Sequence, residues 1–125
     1  MKKDERVLIY PAIYKHFKGK DYATMGVSRP LSAEKLTQVY GANPVSKILM
    51  HAEHTEMKKT IAIFSIDGEW FHLKDDCNKG VVLYKSLYDN HGVYCRDIEM
   101  FMSEVDGERE DNVTKQKYRF ELVEY

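Results

Sequence analysis

The sequence has little of what marks several common classes of protein. Among its 125 residues there are only two cysteines and three prolines, and the net charge at pH 7 is −1. Two cysteines in a chain long enough to bury a core do not make the disulfide framework of a small secreted domain. A net charge so close to zero gives no general attraction for nucleic acid. Both of these classes are therefore disfavoured.

Targeting segments are missing as well. The charged residues 1–6 are followed by only a short apolar run, Val7–Tyr10. A signal peptide needs an apolar stretch of about 7–15 residues, and a membrane-spanning helix needs about 20. The longest mostly apolar stretch, Thr60–Ile66, is far shorter than a membrane span. We therefore expect a soluble, cytoplasmic protein with no membrane partner.

Familiar catalytic motifs are also absent from the sequence. It has no glycine-rich phosphate loop, no Gly-x-Ser-x-Gly and no Cys-x-x-Cys. The two cysteines, Cys77 and Cys95, are expected to be reduced thiols, one in a loop and one in a strand, with a disulfide or redox pair as the alternative. No cofactor and no metal site are predicted, and the sequence favours a protein that is not an enzyme.

Short stretches with the pattern of β-strands dominate what is present. The clearest are Thr60–Ile66 and Glu69–Leu73, which flank Asp67-Gly68, a dipeptide that favours the positive φ angles of a tight hairpin turn. Val81–Tyr88 and Val93–Ile98 predict a second hairpin. Further segments of this character are Val7–Ile9, Tyr22–Val27, Lys47–Glu56 and Tyr118–Val123. Many short strands with few helices predict a mainly β fold, a small barrel or roll.

One short helix interrupts this pattern. Ser32 is a favourable N-terminal cap, Leu36 and Tyr40 fall on one helical face, and Gly41 can end a helix. The spacing therefore predicts a helix over Ala33–Tyr40. No linker composition occurs anywhere in the chain, so residues 1–125 are expected to form a single domain, in which the charged residues 106–115 are expected to be a mobile loop.

Six short motifs occur in an order that is typical of a known family. They are Tyr14–Gly19 with Tyr22, His54–Glu56, Val81–Tyr88, Val93–Arg96, Met100-Phe101 and Arg119-Phe120. In this order they resemble a family of small bacterial domains, the domain-of-unknown-function family numbered 1653. The resemblance implies an SH3-like barrel, and it implies no activity.

The chain departs from this family in length and in two motifs, one of which has Asp89 where family members typically have glycine. Residues 28–50 and 57–79 have the character of insertions, and they carry the predicted helix and the Asp-Gly hairpin. Where family members typically have Arg-Pro, this chain has Arg96-Asp97. The resemblance therefore implies a small SH3-like barrel with an added hairpin and one short helix, whose loops are remodelled.

The densest polar cluster is His51–Glu56. His54 and Glu56 are expected on one strand face, where His54 could donate a hydrogen bond to Glu56 and form a polar pocket. The favoured alternative is a turn organised by local hydrogen bonds. A third interpretation uses His54 and Glu56 in metal binding or catalysis, with His51 or His72 as helpers.

Arg96 is a candidate for binding anions. It follows Tyr94 in a predicted strand, and its guanidinium could bind a carboxylate or a phosphate. An internal ion pair with Glu56 or Glu99 is the favoured alternative.

Aromatic and basic residues alternate near the start of the chain. His16 and Lys18 are expected on one strand face beside Phe17, a pattern that resembles a groove for single-stranded nucleic acid. The favoured alternative places Phe17 in the core and the lysines in solvent.

Two tyrosines suggest a different groove. Tyr84 and Tyr88 are expected on one strand face, and with Trp70, Phe71 and Tyr94 they could bind an extended peptide. Packing in the core is the favoured alternative.

The hypothesis favoured by the sequence is a binding module with an aromatic face. We expect its ligand to be a peptide or protein rather than single-stranded nucleic acid, because the net charge is near zero. One alternative is a small metal-assisted hydrolase or other enzyme that uses His54 and Glu56. The other is an interaction subunit, a homodimer paired through an edge strand of the Asp-Gly hairpin. The candidate contact residues are His16, His54, Glu56, Tyr84, Tyr88 and Arg96.

Overall fold

The computed structural model of the protein describes residues 7–41, 48–88 and 92–124. Within these residues the fold is mainly β, with one eight-stranded sheet and two short helices. The strands are β1 (Ala12–His16), β2 (Asp21–Leu31), β3 (Ile48–His54), β4 (Lys59–Ile66), β5 (Glu69–Leu73), β6 (Val81–Ser86), β7 (Val93–Asp97) and β8 (Phe120–Glu124). The helices are α1 (Ala33–Tyr40) and α2 (Ile98–Phe101). The mainly β fold class predicted from the sequence is confirmed.

Six of the strands close into a barrel. Their order is β5-β4-β3-β7-β6-β2, and the end of β2 returns to β5 in a parallel pairing that runs from Ser28 with Trp70 to Leu31 with Leu73. Strands β1 and β8 continue the sheet outward from β2. The closed barrel agrees with the SH3-like barrel that the family resemblance implies.

The Asp-Gly hairpin is confirmed and forms part of the barrel wall. Asp67 and Gly68 both have positive φ, 52° and 83°, and they join β4 to β5. Strand β4 pairs with β3 and β5, and β5 pairs with β4 and β2. The expected dimer through an edge strand of this hairpin is therefore wrong, because both strands are already paired on each side.

Helix α1 forms where the sequence predicts it. The Ser32 hydroxyl accepts a hydrogen bond from the Lys35 N–H at 3.1 Å, and Gly41 ends the helix with a φ of 84°. Leu36 is the buried residue of the helix, and the Tyr40 hydroxyl donates to the Ser65 carbonyl of β4. The helix is thus attached to the outside of the barrel wall.

Strand β6 is buried on both faces and separates two cores. Val81 and Leu83 contribute to an inner core inside the barrel, which is aliphatic and sulfur-rich and includes Cys95. Val82 and Tyr84 contribute to an outer core on the opposite face. The other members of the outer core are aromatic or small: Ala12, Tyr14, Phe101 and Phe120. Because β1, β8 and α2 cover the barrel there, a small chain gains a second apolar layer.

Several strands end earlier than the sequence predicts. β1 ends at His16, β3 at His54 and β6 at Ser86, so Lys18 and Glu56 lie in turns and not on strand faces. The shared strand faces predicted for His16 with Lys18 and for His54 with Glu56 are therefore wrong. Residues 7–9 are not a strand. β6 and β7 pair as predicted, and residues 89–91 of their turn lie outside the described residues.

The charged loop of residues 106–115 is closed by hydrogen bonds. The fully buried Asn112 donates from Nδ2 to the Asp106 and Gln116 carbonyls at 3.2 and 2.9 Å. The Val113 N–H donates to the Phe17 carbonyl at 3.1 Å, which ties the loop to the turn after β1. The mobility of this loop stays a prediction.

Neither helix in the described part of the chain could cross a membrane, because both are too short and not apolar enough.

Candidate functional site

A small pocket opens beside the outer aromatic core. Its volume is about 120 Å³. His16, Tyr84 and Arg96, which are among the predicted contact residues, all line it. The complete lining is His16, Tyr22, Thr55, Tyr84, Tyr94, Arg96 and Phe120. We call this the arginine pocket.

Arg96 reaches the pocket because of its position in β7. Cys95 is fully buried in the inner core, and alternation along the strand places Arg96 on the outer face. Its Nε donates to the Thr55 hydroxyl at 2.8 Å, and its guanidinium lies 5.6 Å from the centre of the Phe120 ring. The Nη1 atom is buried with no hydrogen-bond partner. Arg96 therefore has a donor that the described residues leave unused.

The ion pair predicted for Arg96 does not form. Its side chain instead contacts the hydroxyls of Thr55 and Tyr84, and no ion pair joins it to Glu56 or Glu99 within the described residues. Glu56 is exposed in the turn after β3, and Glu99 is exposed in α2. Glu56 lies in the turn beyond the end of β3, where its charge acts on Arg119.

Positive charge collects at the edge of the pocket. Arg119 and Arg109 lie over the Phe17 ring, 5.5 and 4.9 Å from its centre. Arg109 is neutralised locally by Asp111, since two hydrogen bonds of 2.8 Å join them. Burial and the nearby Arg96 charge lower the pKa of Arg119, while Glu56 opposes this. The edge of the pocket thus holds excess positive charge in a chain whose net charge is −1.

His16 is neutral in this environment. Burial first, and then the charges of Arg96, Arg119 and Lys18, together lower the pKa of His16 to about 4, with Asp111 acting in the opposite direction. Its Nδ1 accepts a hydrogen bond from the Lys18 N–H at 3.1 Å. The proton of the neutral ring is therefore on Nε2, which makes His16 a neutral donor in the wall of the pocket.

Tyr84 is a buried phenol in the same wall. Burial raises the pKa of Tyr84, and the positive charge of Arg96 acts against this rise. Its ring contacts Tyr22 at 5.5 Å and Tyr94 at 5.9 Å between centres. Tyr84 consequently keeps its proton at neutral pH, and its hydroxyl forms hydrogen bonds with the side chains of Thr55 and Arg96.

The remaining predicted aromatic contacts lie elsewhere. Tyr88 follows the end of β6, is exposed, and donates from its hydroxyl to Asp21 at 3.2 Å. Trp70 packs against the inner core, and Phe71 lies beneath the guanidinium of Arg29 at 5.5 Å. The predicted groove of Tyr84, Tyr88, Trp70, Phe71 and Tyr94 is therefore wrong, because its members lie on different sides of the barrel wall.

His54 belongs to a second polar cluster at the end of β3. It is fully buried, and its Nδ1 accepts a hydrogen bond from the Met57 N–H at 3.1 Å. Because Nδ1 is the acceptor, the ring N–H that faces Asp97 is on Nε2. This N–H donates a hydrogen bond to Asp97 Oδ1 at 2.9 Å. The hydrogen bond predicted from His54 to Glu56 is wrong, since Asp97 takes that place.

Cys77 completes this cluster. Its sulfur lies 3.8 Å from Asp97 Oδ1, and the donor atoms of His54, Cys77 and Asp97 are all within 4.8 Å of one another. Burial raises the pKa of the Cys77 thiol. Cys77 and Cys95 are both free thiols, one in a loop and one in a strand, as predicted. No motif in the sequence indicates this cluster, because its members come from distant segments of the chain.

The other two histidines of the predicted cluster do not join it. His51 is exposed on the opposite face of β3. His72 is fully buried, with Nδ1 2.7 Å from the Ser28 hydroxyl and Nε2 3.0 Å from the carbonyls of Cys77 and Lys79. Its ring is fully engaged in holding the loop of Cys77 to the barrel.

The fold and the pocket define a class: a small closed β-barrel with an arginine held among aromatic rings. The model of the family described as "Protein of unknown function (DUF1653)" matches residues 69–122. This match confirms the predicted family assignment over that part of the chain, which runs from β5 into β8. It begins inside the predicted insertion of residues 57–79, and the motifs at Tyr14–Gly19 and His54–Glu56 precede it. No curated protein and no solved structure matches the chain.

Proposed function

We propose that the protein is a binding module whose arginine pocket receives a carboxylate of a peptide or protein ligand. The observation that carries the proposal is the buried Nη1 of Arg96, which has no hydrogen-bond partner. A buried donor without an acceptor costs about 1–3 kcal/mol, and more when it is charged. A carboxylate placed in the pocket supplies the missing acceptor.

Arginine is well suited to this ligand group. The planar guanidinium presents parallel N–H groups that fit a carboxylate, and charge-assisted hydrogen bonds of this kind are about twice as strong as neutral ones. Neutral His16 adds a donor in the pocket wall, and the uncharged Tyr84 adds no negative charge that would oppose a carboxylate. A volume of about 120 Å³ accommodates one such group and not a whole peptide, so the rest of the ligand lies on the surface.

A peptide fits the charge distribution better than nucleic acid does. Binding of single strands relies on a long basic groove in which successive bases stack. Here Arg109 is paired with Asp111, and Lys15 is paired with Asp21 at 2.9 Å. The excess positive charge that remains is local, around Arg96 and Arg119, which favours a single anionic group.

Nuclear magnetic resonance titration tests the proposal on the full chain. The probes are acetate and a short peptide with a free C-terminal carboxylate, compared with the same peptide amidated at that end. We expect saturable shifts of the Arg96 Nε–H signal and of the backbone amide signals of His16 and Thr55, which line the pocket, with the free peptide. Affinity for acetate should be weaker, and the amidated peptide should give no response; the backbone signals serve for comparison with variants of Arg96.

Arg29 offers a matched control, because it also lies over an aromatic ring, Phe71, but outside the pocket. Arg96→Gln should abolish the response, and Arg29→Gln should leave it unchanged. Shifts that persist in Arg96→Gln, or no shifts at low ionic strength in the unaltered protein, would contradict the proposal.

A further inference from the structure

We propose that His54, Cys77 and Asp97 form a binding site for a divalent transition metal ion of the zinc type. None of the three residues lines the arginine pocket, so this site is separate from the proposed function.

The geometry of the cluster is close to that of a metal site. His54 Nε2 and Asp97 Oδ1 are 2.9 Å apart, and Cys77 Sγ is 3.8 Å from the same oxygen. All three donor atoms lie within 4.8 Å of one another. Zinc binds nitrogen, oxygen and sulfur at about 2.0–2.3 Å, which places tetrahedral ligands roughly 3.3–3.8 Å from each other. Shifts of less than about 1 Å therefore bring the cluster into ligand geometry.

The donor types favour zinc over the abundant alkaline-earth ions. An imidazole nitrogen and a cysteine sulfur are typical zinc ligands, and aspartate is also accepted. Calcium and magnesium prefer sites made of oxygen atoms alone. A cobalt ion, which shares the tetrahedral preference of zinc, is the natural spectroscopic substitute.

A cleft of about 470 Å³ gives access to the cluster. Cys77 and Asp97 both line it, and the side chain of Asp97 is 26% exposed while that of His54 is only 1% exposed. The other lining residues are Met57, Lys74, Asp75, Asp76, Asn78 and Lys79. Three protein ligands beside an open cleft leave a fourth position for water or for another ligand.

The surrounding hydrogen bonds fix two of the three ligands. His72 donates from Nε2 to the carbonyls of Cys77 and Lys79, which holds the loop in place. Asp97 stands at the end of β7, where strand pairing fixes its backbone opposite Val81. Such outer contacts orient the ligands of metal sites and strengthen binding.

Metal binding requires one local change, and this provides a specific signature. A metal on Nε2 of His54 displaces the proton there, so the neutral ring carries its proton on Nδ1. The Met57 N–H, which now donates to Nδ1 at 3.1 Å, must then turn to solvent. Residues Glu56, Met57 and Lys58 are exposed, so water can replace the lost bond.

Titration of the full chain with cobalt(II) tests the site. We expect one equivalent to bind, with visible bands of tetrahedral cobalt and a near-ultraviolet thiolate-to-cobalt band. Cys77→Ser should remove the thiolate band, and Asp97→Asn should weaken binding at least tenfold. Cys95→Ala is the matched control, because Cys95 is also a buried free thiol but is not in the cluster. It should keep the band.

Two measurements keep the test independent of folding defects. In the unaltered protein, zinc should slow alkylation of Cys77 under conditions in which the chain stays folded, and it should shift the Met57 and Lys58 amide signals. Cobalt binding that persists unchanged in Arg96→Gln would separate this site from the arginine pocket. A thiolate band that survives Cys77→Ser, or no binding to the unaltered protein, would overturn the proposal.

Discussion

Arg96 and Asp97 are neighbours in β7, but their side chains lie in opposite environments. Arg96 is on the outer face among aromatic rings, and one of its buried donors has no partner. Asp97 accepts a hydrogen bond from buried His54 and lies close to the Cys77 thiol. The site of Arg96 therefore has a hydrogen-bond donor without an acceptor. At the site of Asp97, the donors and acceptors pair with each other within the chain.

This difference shows how a small barrel can place two kinds of chemistry side by side. Alternation along a strand puts successive residues on opposite faces, and the two cores give these faces different surroundings. An unused donor costs stability and favours a ligand. A cluster whose hydrogen bonds are all made within the chain adds stability. Its contacts change only when another species, such as a metal ion, replaces its protons.

The largest effect is expected from Phe101→Ala in the outer core. The Phe101 ring is fully buried and stacks on Phe120 with 4.0 Å between centres. Removing it should lower the free energy of unfolding by about 3–5 kcal/mol, and Leu83→Ala in the inner core by about 2–5 kcal/mol. Urea denaturation measures both. A loss below about 1 kcal/mol for Phe101→Ala would mean that the outer layer is not a true core.

His54→Ala should have the next largest effect. It removes a fully buried ring and its hydrogen bond to Asp97, so we expect a loss of about 2–3 kcal/mol in the free energy of unfolding. His51→Ala, on the exposed face of the same strand, should change it by less than about 0.5 kcal/mol. Equal losses for the two variants would refute a structural role for the His54–Asp97 pair.

Arg96→Met is expected to act in the opposite direction. It replaces a partly buried guanidinium, whose buried Nη1 has no acceptor, with an apolar side chain of similar length. The free energy of unfolding should stay constant or rise by up to about 1 kcal/mol, while the response to carboxylates disappears. Thermal unfolding and the peptide titration measure the two effects. Destabilisation by more than about 1 kcal/mol would show that Arg96 is already satisfied in the folded protein.

The last expected effect is a pH dependence of stability. Because the pKa of His16 falls from 6.5 to about 4 on folding, the unfolded chain binds more protons between these values. Stability should therefore fall as the pH is lowered from about 6.5 towards 4. His16→Gln should make this dependence shallower.

The pH experiment is a series of urea denaturations from pH 7.5 to 4.5. Burial also lowers the pKa of His72, so a residual slope of the same sign should remain in His16→Gln. An unchanged slope in that variant would show that His16 does not carry the effect.

Much of the fold could be predicted from local patterns. The hairpin at Asp67-Gly68 and the helix capped by Ser32 depend on residues that are close in sequence, and both were correct. The alternation that placed Ala52 and His54 on the buried face of β3 was also correct. The strand faces predicted for Glu56 and Tyr88 are wrong, because β3 ends at His54 and β6 ends at Ser86.

The arginine pocket could be predicted only in part. His16, Tyr84 and Arg96 were recognised as individual candidates, because arginine beside aromatic residues suggests anion binding. Their meeting in one pocket depends on β1, β6 and β7 lying on the same side of the barrel, which local patterns do not reveal. For the same reason the partner expected for Arg96 was a carboxylate, when it is the hydroxyl of Thr55.

The cluster of His54, Cys77 and Asp97 could not be predicted from spacing. Its members come from β3, from the loop after β5 and from the end of β7, and no short motif links them. The sequence distinguishes Asp97 only as a residue that stands where members of the family typically have proline. The contact that gives it a role arises from the parallel pairing of β3 with β7, which sets His54 beside Cys95.

The long strand β2 has a consequence for how the chain folds. It pairs with β1 nearby in sequence, but also with β5 and β6, through Ser28 with Trp70 and Tyr22 with Ser86. Closing such long loops costs conformational entropy, and this loss precedes the formation of the contacts. The strand that closes the barrel should therefore also set its folding time, which for β-barrels of this size is on the order of milliseconds to seconds.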